Sequence, residues 1–242
     1  WEFELGSDVV NKKNFAFYTD LNITRYRSKV LALNGGAYSN LRVGRSMGYF
    51  TGYKYLGIFQ DQAEIDALNA ASPTKLYQAA GTRPGDLKFA DINGDGIVNT
   101  LDIDVIGKSE PDFYGGWNNF VRYRNLELTA FFNFSVGNYL ANYANRDLQI
   151  FTTNVNNYSS EILESWRPDN TSATLPRVVT NDPNRNARDS DYFIENASFF
   201  KLKNLQLAYT LRDKDMLRKL LLNNVRAFVS LSEVFVITKY KG

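Results

Sequence analysis

Apolar and polar side chains alternate over several long segments of the chain, which is the pattern of β-strands with one apolar face. The clearest example is residues 126–137, which follow residues 113–124 across a tight turn at Arg124-Asn125. Its apolar positions are Leu126, Leu128, Ala130, Phe132, Phe134 and Val136. Similar alternation marks residues 14–32, 192–211 and 225–240, and a strand begins at Trp1. The chain is therefore predicted to be an all-β, antiparallel protein.

This alternation suits either the core of a β-sandwich or the wall of a transmembrane β-barrel. The apolar stripe of residues 126–137 extends over about 11 residues, the length that a tilted strand needs to cross a bilayer. Aromatic residues gather near strand ends, as in the girdles at membrane boundaries. These residues are Phe113, Tyr114, Trp117, Phe199, Phe200 and Tyr209. Strand length and aromatic placement favour the barrel.

The other segments are less regular. Residues 47–59 are rich in Gly and Tyr and suggest a strand, and residues 61–70 suggest a short helix. Residues 138–190 form a polar, loop-like stretch, with short helices suggested at 140–150 and 159–166. Residues 213–222 suggest an amphipathic helix between the last two strands.

The amino-acid composition excludes several classes of function. The 242 residues include no His and no Cys, which excludes His-based triads, Cys nucleophiles, disulfides and the usual zinc sites. We therefore predict a protein that is not an enzyme. The net charge of +2 implies no nucleic-acid partner. The chain starts at Trp1 inside a strand, without an initiator Met, so we expect an internal piece of a longer protein.

An acidic loop at residues 91–102 carries the clearest candidate chemistry. Oxygen-bearing side chains stand at its positions 1, 3, 5, 9 and 12, with Gly96 at position 6. This spacing lets a chain wrap around one Ca²⁺ ion. The predicted ligands are Asp91, Asn93, Asp95, the Ile97 carbonyl, Asn99 and Asp102. The alternative is a plain hairpin turn at residues 93–96, since Asn-Gly and Asp-Gly favour such turns.

Several stretches together resemble the SusC-like TonB-dependent outer-membrane transporters. They are GYKYLGIFQ at 52–60, GDLKFADINGDG at 85–96, PDFYGGWNN at 111–119, ESWRPDN at 164–170, YFIENASFFKLKNL at 192–205 and LSEVFVITKYKG at 231–242. The resemblance implies a barrel of about 22 strands with an N-terminal plug. This chain would be a C-terminal portion without the plug and the final strand.

The resemblance also implies TonB-dependent import of oligosaccharides or peptides across the outer membrane of a Gram-negative bacterium. The expected partners are a SusD-like surface lipoprotein, outer-membrane lipid, and TonB, which would act through the missing N-terminal part. Because such barrels have short periplasmic turns, Arg124-Asn125 would be periplasmic. Residues 59–112, with the cation loop, and 138–190 would then be extracellular; whether 41–58 crosses the membrane stays open.

Two other functions compete with import. The first is a secreted, calcium-dependent binding module of the dockerin type, which would need a duplicated loop in a short helical chain. The second is a soluble β-sandwich enzyme. For the aromatic residues Trp117, Tyr139, Tyr143, Tyr158 and Trp166, sugar stacking competes with plain packing. The pairs Glu161/Glu164 and Asp189/Asp191 are better interpreted as solvated charges than as glycosidase carboxylates.

Overall fold

The computed structural model describes residues 1–35, 41–152, 157–211, 217, 219, 221–222 and 224–241. The strands are β1 (Glu2–Lys12), β2 (Phe15–Thr24), β3 (Tyr49–Gly52), β4 (Tyr55–Ile58), β5 (Leu87–Phe89), β6 (Asp104–Lys108), β7 (Phe113–Tyr123), β8 (Leu126–Val136), β9 (Tyr139–Ala141), β10 (Ile194–Asn196), β11 (Phe199–Leu211) and β12 (Val225–Thr238). The helices are α1 (Gln62–Ala71) and α2 (Tyr143–Gln149), with 3-10 turns at Thr100–Asp102, Ser160–Glu164 and Asp191–Phe193.

The helices agree with the sequence patterns. Helix α1 begins where Asp61 caps it, because the Asp61 carboxylate accepts the Glu64 backbone N–H at 2.8 Å. Helix α2 lies inside the predicted 140–150 segment, and a 3-10 turn lies inside 159–166. The helix predicted at 213–222 falls largely outside the described residues. In the described part of the chain, no helix is long and apolar enough to span a membrane.

Six long strands form one antiparallel sheet in the order β1-β2-β7-β8-β11-β12. They contain 10 to 14 residues each, enough for a tilted strand to cross a bilayer. The predicted β7–β8 hairpin is confirmed, and Arg124 in its turn has a left-handed backbone with φ of 53°. Strands β1 and β12 lie at the two edges, so the chain is an open portion of a barrel wall.

The register of the six strands separates an apolar face from a polar face. Side chains that pair across neighbouring strands lie on the same face of a sheet. Two rows on the apolar face are Leu5, Leu21, Trp117, Phe132, Leu202, Phe235 and Val10, Phe17, Val121, Leu128, Leu207, Val229. Two rows on the opposite face are Glu4, Asn22, Gly116, Asn133, Lys201, Val236 and Gly6, Asp20, Asn118, Phe131, Asn204, Ser232.

Exposure of the apolar face distinguishes the two interpretations of the alternation. Leu207 is 51% exposed and Leu128 is 39% exposed, although both lie in an apolar row on inner strands of the sheet. A β-sandwich would bury this row against a second sheet. The rings of Trp117 and Phe132 stack at 5.3 Å on the same face, and Phe132 stacks on Phe200 at 5.2 Å. An exposed apolar face with an opposite polar face is the pattern of a barrel wall in lipid.

One predicted strand is divided in the structure. Residues 192–211 were expected to form a single strand, but they form β10 and β11 with a break between them. The break has a local cause, because the Asn196 side-chain oxygen accepts the Ser198 backbone N–H at 2.9 Å. Strand β10 pairs with β9, whereas β11 joins the six-stranded sheet.

The chain divides into two compact units. Unit 1 contains residues 1–28, 110–139 and 196–241, and it holds the six-stranded sheet. Unit 2 contains residues 29–109 and 140–195, with both helices and the small sheets β3–β6 and β4–β5. Residues 41–58 therefore supply β3 and β4 to unit 2 and no strand to the large sheet. Most of the two segments predicted to be extracellular, 59–112 and 138–190, folds together in unit 2.

Candidate functional site

The acidic loop of residues 91–102 connects β5 to the 3-10 turn before β6 in unit 2. Strand β5 pairs with β4, and β6 pairs with β3, so the strands that flank the loop are not paired with each other. A plain hairpin turn at residues 93–96 would require that pairing. The hairpin alternative is therefore wrong, and the loop is a wrapped segment that closes on itself.

Asp91 organises the first half of the loop. Its Oδ1 accepts the backbone N–H of Gly94 at 2.7 Å and of Asp95 at 3.2 Å, and its Oδ2 accepts that of Gly96 at 2.7 Å. Gly94 and Gly96 have φ of 76° and 83°, in the left-handed region that favours glycine. The two glycines let the backbone curl tightly enough for one carboxylate to collect three N–H donors.

Asp102 closes the loop from its other end. Its side chain is fully buried, and its Oδ1 accepts the backbone N–H of Ile92 at 2.8 Å and of Asn93 at 3.2 Å. Its Oδ2 accepts the Asn99 N–H at 2.8 Å, which completes a capping box on the 3-10 turn. Position 12 of the loop is thus tied to the backbone of positions 2, 3 and 9.

Two of the predicted ligands, Asn93 and Asn99, contact Asp95 through their side chains. The Asp95 Oδ1 accepts the Ile97 N–H at 2.9 Å, and its Oδ2 accepts the Asn93 side-chain amide at 3.0 Å. The Asn99 amide donates to the same Oδ2 at 3.4 Å and to the Ile97 carbonyl at 3.3 Å. The hydrogen bond from the Asn93 side chain, with further bonds from Ile97 and Asn99, holds the pKa of the Asp95 carboxyl below its ordinary value.

The donor set of this loop determines which ion it fits. Within the ranges that the structure describes, no three His, Cys, Asp or Glu side chains approach closely enough to hold a metal ion by themselves. A cation here would depend on the amide and carbonyl oxygens of Asn93, Ile97 and Asn99 together with the carboxylates. Mixed carboxylate, amide and carbonyl oxygens are ligands that Ca²⁺ accepts.

A buried polar network next to β5 was not predicted. Its centre is Asp86, whose fully buried carboxylate binds the Arg177 guanidinium through Nε at 2.9 Å and Nη2 at 3.0 Å. The Asp86 carboxylate also accepts the Arg83 backbone N–H at 2.9 Å and the Asn186 side-chain amide at 3.1 Å. The network joins residues 59–109 to residues 140–195 inside unit 2.

Asn184 extends this network. Its Oδ1 accepts the Gln78 amide and the Thr82 hydroxyl, both at 2.7 Å. Its Nδ2 donates to the Leu87 carbonyl at 3.0 Å and to the Asn186 side chain at 2.7 Å. Partners about 100 residues apart leave no local pattern in a sequence, and for this reason the Asn-rich stretch was interpreted only as loop.

One of the aromatic candidates for sugar stacking, Trp166, is packed. Trp166 is 7% exposed, lies in the core of unit 2 with Leu87 and Phe89, and donates its indole N–H to the Gln60 side chain at 3.0 Å. Trp117 lies on the apolar face of the large sheet. Tyr143 differs, because it is partly exposed and borders a cavity in unit 2.

The acidic pairs have structural partners. Asp191 binds the Lys54 ammonium at 2.9 Å and accepts the Tyr55 backbone N–H at 2.6 Å. Asp189 lies 3.4 Å from the Arg146 guanidinium, and Glu161 accepts the Gln149 amide at 2.7 Å. Asp189 agrees with the interpretation as a solvated charge, whereas the Asp191 side chain is only 19% exposed and is held by Lys54 and the Tyr55 backbone.

Comparison with known proteins identifies the class. The chain is 30% identical to TonB-dependent receptor P3 of Formosa agariphila over 258 aligned residues, which cover 100% of this chain and 24% of that receptor. It is 27% identical to TonB-dependent receptor SusC of Bacteroides thetaiotaomicron, covering 100% of this chain and 23% of that receptor. No family model matches the chain.

Solved structures share the fold. The RagAB peptide transporter aligns with a TM-score of 0.77 at 19% identity, covering 100% of this chain and 25% of that chain. The same importer in its open-open state aligns with a TM-score of 0.70. The two-faced sheet and these matches define the chain as part of a TonB-dependent receptor barrel. Within that class the chain belongs to the SusC-like receptors, and it spans about a quarter of the length of the curated relatives it matches.

Proposed function

We propose that the receptor containing this chain imports oligosaccharides or peptides across the outer membrane, driven by TonB and together with a SusD-like surface lipoprotein. The observation that carries the proposal is the six-stranded sheet with an exposed apolar face. All of this chain aligns with part of SusC. The structural similarity to a peptide transporter supports a transport role and keeps peptides among the candidate substrates.

The topology of the sheet supports one orientation of its strands in the outer membrane. The β7–β8 turn at Arg124-Asn125 is tight, whereas the connection between β8 and β11 includes most of residues 140–195. Because outer-membrane barrels have short periplasmic turns and long outer loops, we assign unit 2 to the cell surface. The cation loop and the cavity beside Tyr143 would then face the medium, where substrate arrives.

Uptake measurements test the proposed function. Cells that express the full-length receptor are expected to take up either fluorescein-labelled neutral oligosaccharides or fluorescein-labelled peptides from a casein digest. Uptake should stop when a protonophore collapses the proton-motive force, because import depends on energy delivered through TonB. A strain in which the receptor gene is deleted is the control. Uptake of both probe sets at the same rate with and without the gene would contradict the proposal.

We further propose that the acidic loop binds one Ca²⁺ ion with a structural role. The ligands would be Asp91, Asn93, Asp95, the Ile97 carbonyl, Asn99 and Asp102. In the structure the side-chain amides of Asn93 and Asn99 donate hydrogen bonds to the Asp95 carboxylate. A bound cation would take the place of these two donors. Such an ion would brace a long surface segment.

Calorimetric titration of the full-length receptor with CaCl₂ tests this site. Asp95→Asn is expected to weaken Ca²⁺ affinity at least about tenfold, because site charge sets affinity in such loops. The wild-type affinity should also fall in acid, since protonation removes the negative charge of the carboxylate ligands.

The control for the calcium experiment is Asp169→Asn, which changes an exposed carboxylate elsewhere in unit 2. It should leave Ca²⁺ affinity unchanged. Equal affinity of the Asp95→Asn variant and the wild type would remove the loop as the binding site, and so would an absence of binding at millimolar CaCl₂.

A further inference from the structure

A cavity of about 560 Å³ lies beside the acidic loop in unit 2. Residues 98–100, near the end of the loop, contribute to its lining together with residues 78–81 and Tyr53. Arg185 and Arg188, from the segment before β10, add two cationic side chains. The volume falls within the range of about 300 to 1,000 Å³ that is typical of small-molecule sites.

The lining of this cavity is positively charged. Arg185 and Arg188 are cationic, and none of the described residues that form the lining is an Asp or a Glu. Neither guanidinium has a carboxylate within ion-pair distance in the ranges that the structure describes. By contrast, the guanidinium of Arg177 in the same unit is neutralised by Asp86. The cavity therefore holds two positive charges without an ion-pair partner among the described side chains.

Arg188 is fixed at the cavity by contacts that leave its charge uncompensated. Its guanidinium lies over the Phe89 ring at 4.6 Å and over the Tyr53 ring at 4.9 Å. Its Nε donates to the Arg185 carbonyl at 2.9 Å, and its Nη2 donates to the Asn184 carbonyl at 2.6 Å. The remaining nitrogen, Nη1, has no acceptor in the described part of the chain and keeps solvent-accessible surface. This nitrogen is available to a ligand.

A tight turn brings Arg185 next to Arg188. Within the turn, Asp182 and Arg185 have left-handed backbones with φ of 40° and 58°. The Asp182 carboxylate accepts the backbone N–H groups of residues 186 and 187 at 2.7 and 2.9 Å. Because this carboxylate holds the turn together, it is not an ion-pair partner of either arginine within the described structure.

The two guanidiniums of the cavity repel each other. Burial lowers the pKa of the Arg188 guanidinium, Tyr53 and Asp182 oppose this shift, and the positive charge of Arg185 adds to it. Both side chains remain protonated at neutral pH, because an arginine does not lose its proton in a protein. An anion between them would replace one repulsion with two attractions.

Two hydroxyls add neutral donors to the cavity. Tyr53 and Thr100 line it, and neither hydroxyl has a hydrogen-bond partner among the residues that the structure describes. The Tyr53 hydroxyl keeps solvent-accessible surface and Thr100 is exposed, so both are open to a ligand. The amides of Gln78 and Asn99 are already engaged in hydrogen bonds within unit 2. The free polar groups of the cavity can therefore all donate hydrogen bonds to an anion.

We propose that this cavity binds a phosphate group, with the guanidiniums of Arg185 and Arg188 as charged donors and the hydroxyls of Tyr53 and Thr100 as neutral donors. Two guanidiniums match the charge of about −1.5 to −2 that a phosphate monoester carries at neutral pH, whereas a carboxylate would compensate only one of them. Planar guanidiniums also suit the geometry of phosphate oxygens. The phosphate is either a free ion or the headgroup of an outer-leaflet lipid. The site does not depend on which cargo the receptor imports.

Calorimetric titration of the full-length receptor in detergent with sodium phosphate tests the site. Arg185→Gln is expected to weaken phosphate affinity at least about tenfold, because it removes one of the two charges that bind the ion. Its thermal unfolding temperature should not change, since the Arg185 side chain makes no hydrogen bond or ion pair within the described structure. Arg167→Gln, an exposed arginine of unit 2 outside the lining, is the matched control and should bind like the wild type.

A second variant and two further probes sharpen the assignment. Arg188→Lys keeps the charge but loses the planar fork, so it should also weaken phosphate binding. Dihexanoyl phosphatidic acid carries the same phosphomonoester on a soluble lipid. Tighter binding of this lipid than of inorganic phosphate, with the same loss in Arg185→Gln, would assign the site to a lipid headgroup, and equal or weaker binding would assign it to the free ion. Sodium acetate should bind at least about tenfold more weakly than phosphate.

Three results would overturn the phosphate site. The first is equal affinity of Arg185→Gln and the wild type for the phosphate probe that binds. The second is no binding of either phosphate probe to the wild type at millimolar concentration. The third is acetate binding as tight as that of phosphate. None of these results affects import as measured by uptake, and failure of import would appear separately as uptake that does not depend on the receptor gene.

Discussion

Replacing Arg177 by Met is expected to destabilise unit 2 by about 3–5 kcal/mol, the cost of leaving one partner of a buried ion pair unpaired. The Asp86 carboxylate is fully buried and would lose two charged hydrogen bonds, at 2.9 and 3.0 Å, from the guanidinium. Hydrogen exchange in the full-length receptor should show faster exchange in the β5 segment and in residues 175–187, because the network joins these two stretches.

The double variant Asp86→Leu/Arg177→Met separates the ion pair from the packing around it. Replacement of a buried ion pair by apolar groups is often close to neutral, but Asp86→Leu also removes the acceptor of the Arg83 backbone N–H and of the Asn186 amide. This variant should therefore recover only part of the lost protection. Arg167→Ala is the surface control, since its exposed pair with Asp169 contributes at most about 1 kcal/mol. Wild-type exchange rates in the Arg177→Met variant would show that the network does not hold the two stretches together.

Local patterns in the sequence were sufficient to predict the strands of the large sheet but not all their bounds, since the strand predicted at 14–32 ends at Thr24. The β7–β8 hairpin follows from strict alternation on both sides of Arg124-Asn125, and β2 and β12 follow from the same period. Strand length and aromatic placement also favoured the membrane over the sandwich, and the exposed apolar rows agree with that choice. These features depend on neighbours that are close in sequence or on the two-residue period of a strand.

The internal order of unit 2 could not be predicted in the same way. Strand β3 pairs with β6, which lies about 55 positions further along the chain. Asp86 binds Arg177, which lies 91 positions further along. The stretches that contain these strands and side chains are short and are polar or Gly-rich. No periodic pattern in them predicts which strand pairs with which, or which side chains form an ion pair. The Asn196 side chain divides the strand predicted at 192–211 through a single local hydrogen bond, which the alternation of side chains does not reveal.

The candidate loop contains features that the sequence predicts and features that it does not. Its six proposed ligand positions come from spacing alone, because the glycine positions and the oxygen donors recur at fixed offsets in cation loops. The spacing did not show that Asp91 and Asp102 each collect three backbone N–H groups, which makes them part of the loop's own fold. Asp95 is therefore the better position at which to test for the ion, since its role in holding the backbone is smaller.

Ala130→Arg should disrupt membrane folding of the receptor more than a comparable change on the other face of the same strand. Ala130 lies midway along β8 on the apolar face, between Leu128 and Phe132. An arginine on the lipid face of a barrel costs about 2–4 kcal/mol at the centre of the bilayer and about 0–1 kcal/mol near its boundary. Leu126→Arg, at the turn end of the same stripe, should therefore have a small effect.

Thr129→Arg supplies the matched control, because Thr129 is the adjacent residue of β8 and faces the polar side with Gln206. It should be tolerated nearly as well as Leu126→Arg, since a charge facing a polar interior is not transferred into lipid. Heat-modifiable gel mobility of outer-membrane preparations, followed through a urea titration, gives the folded fraction of each variant. Equal stability of the Ala130→Arg and Thr129→Arg variants would mean that the apolar rows do not face lipid. The assignment of the sheet as a membrane wall would then have to be abandoned.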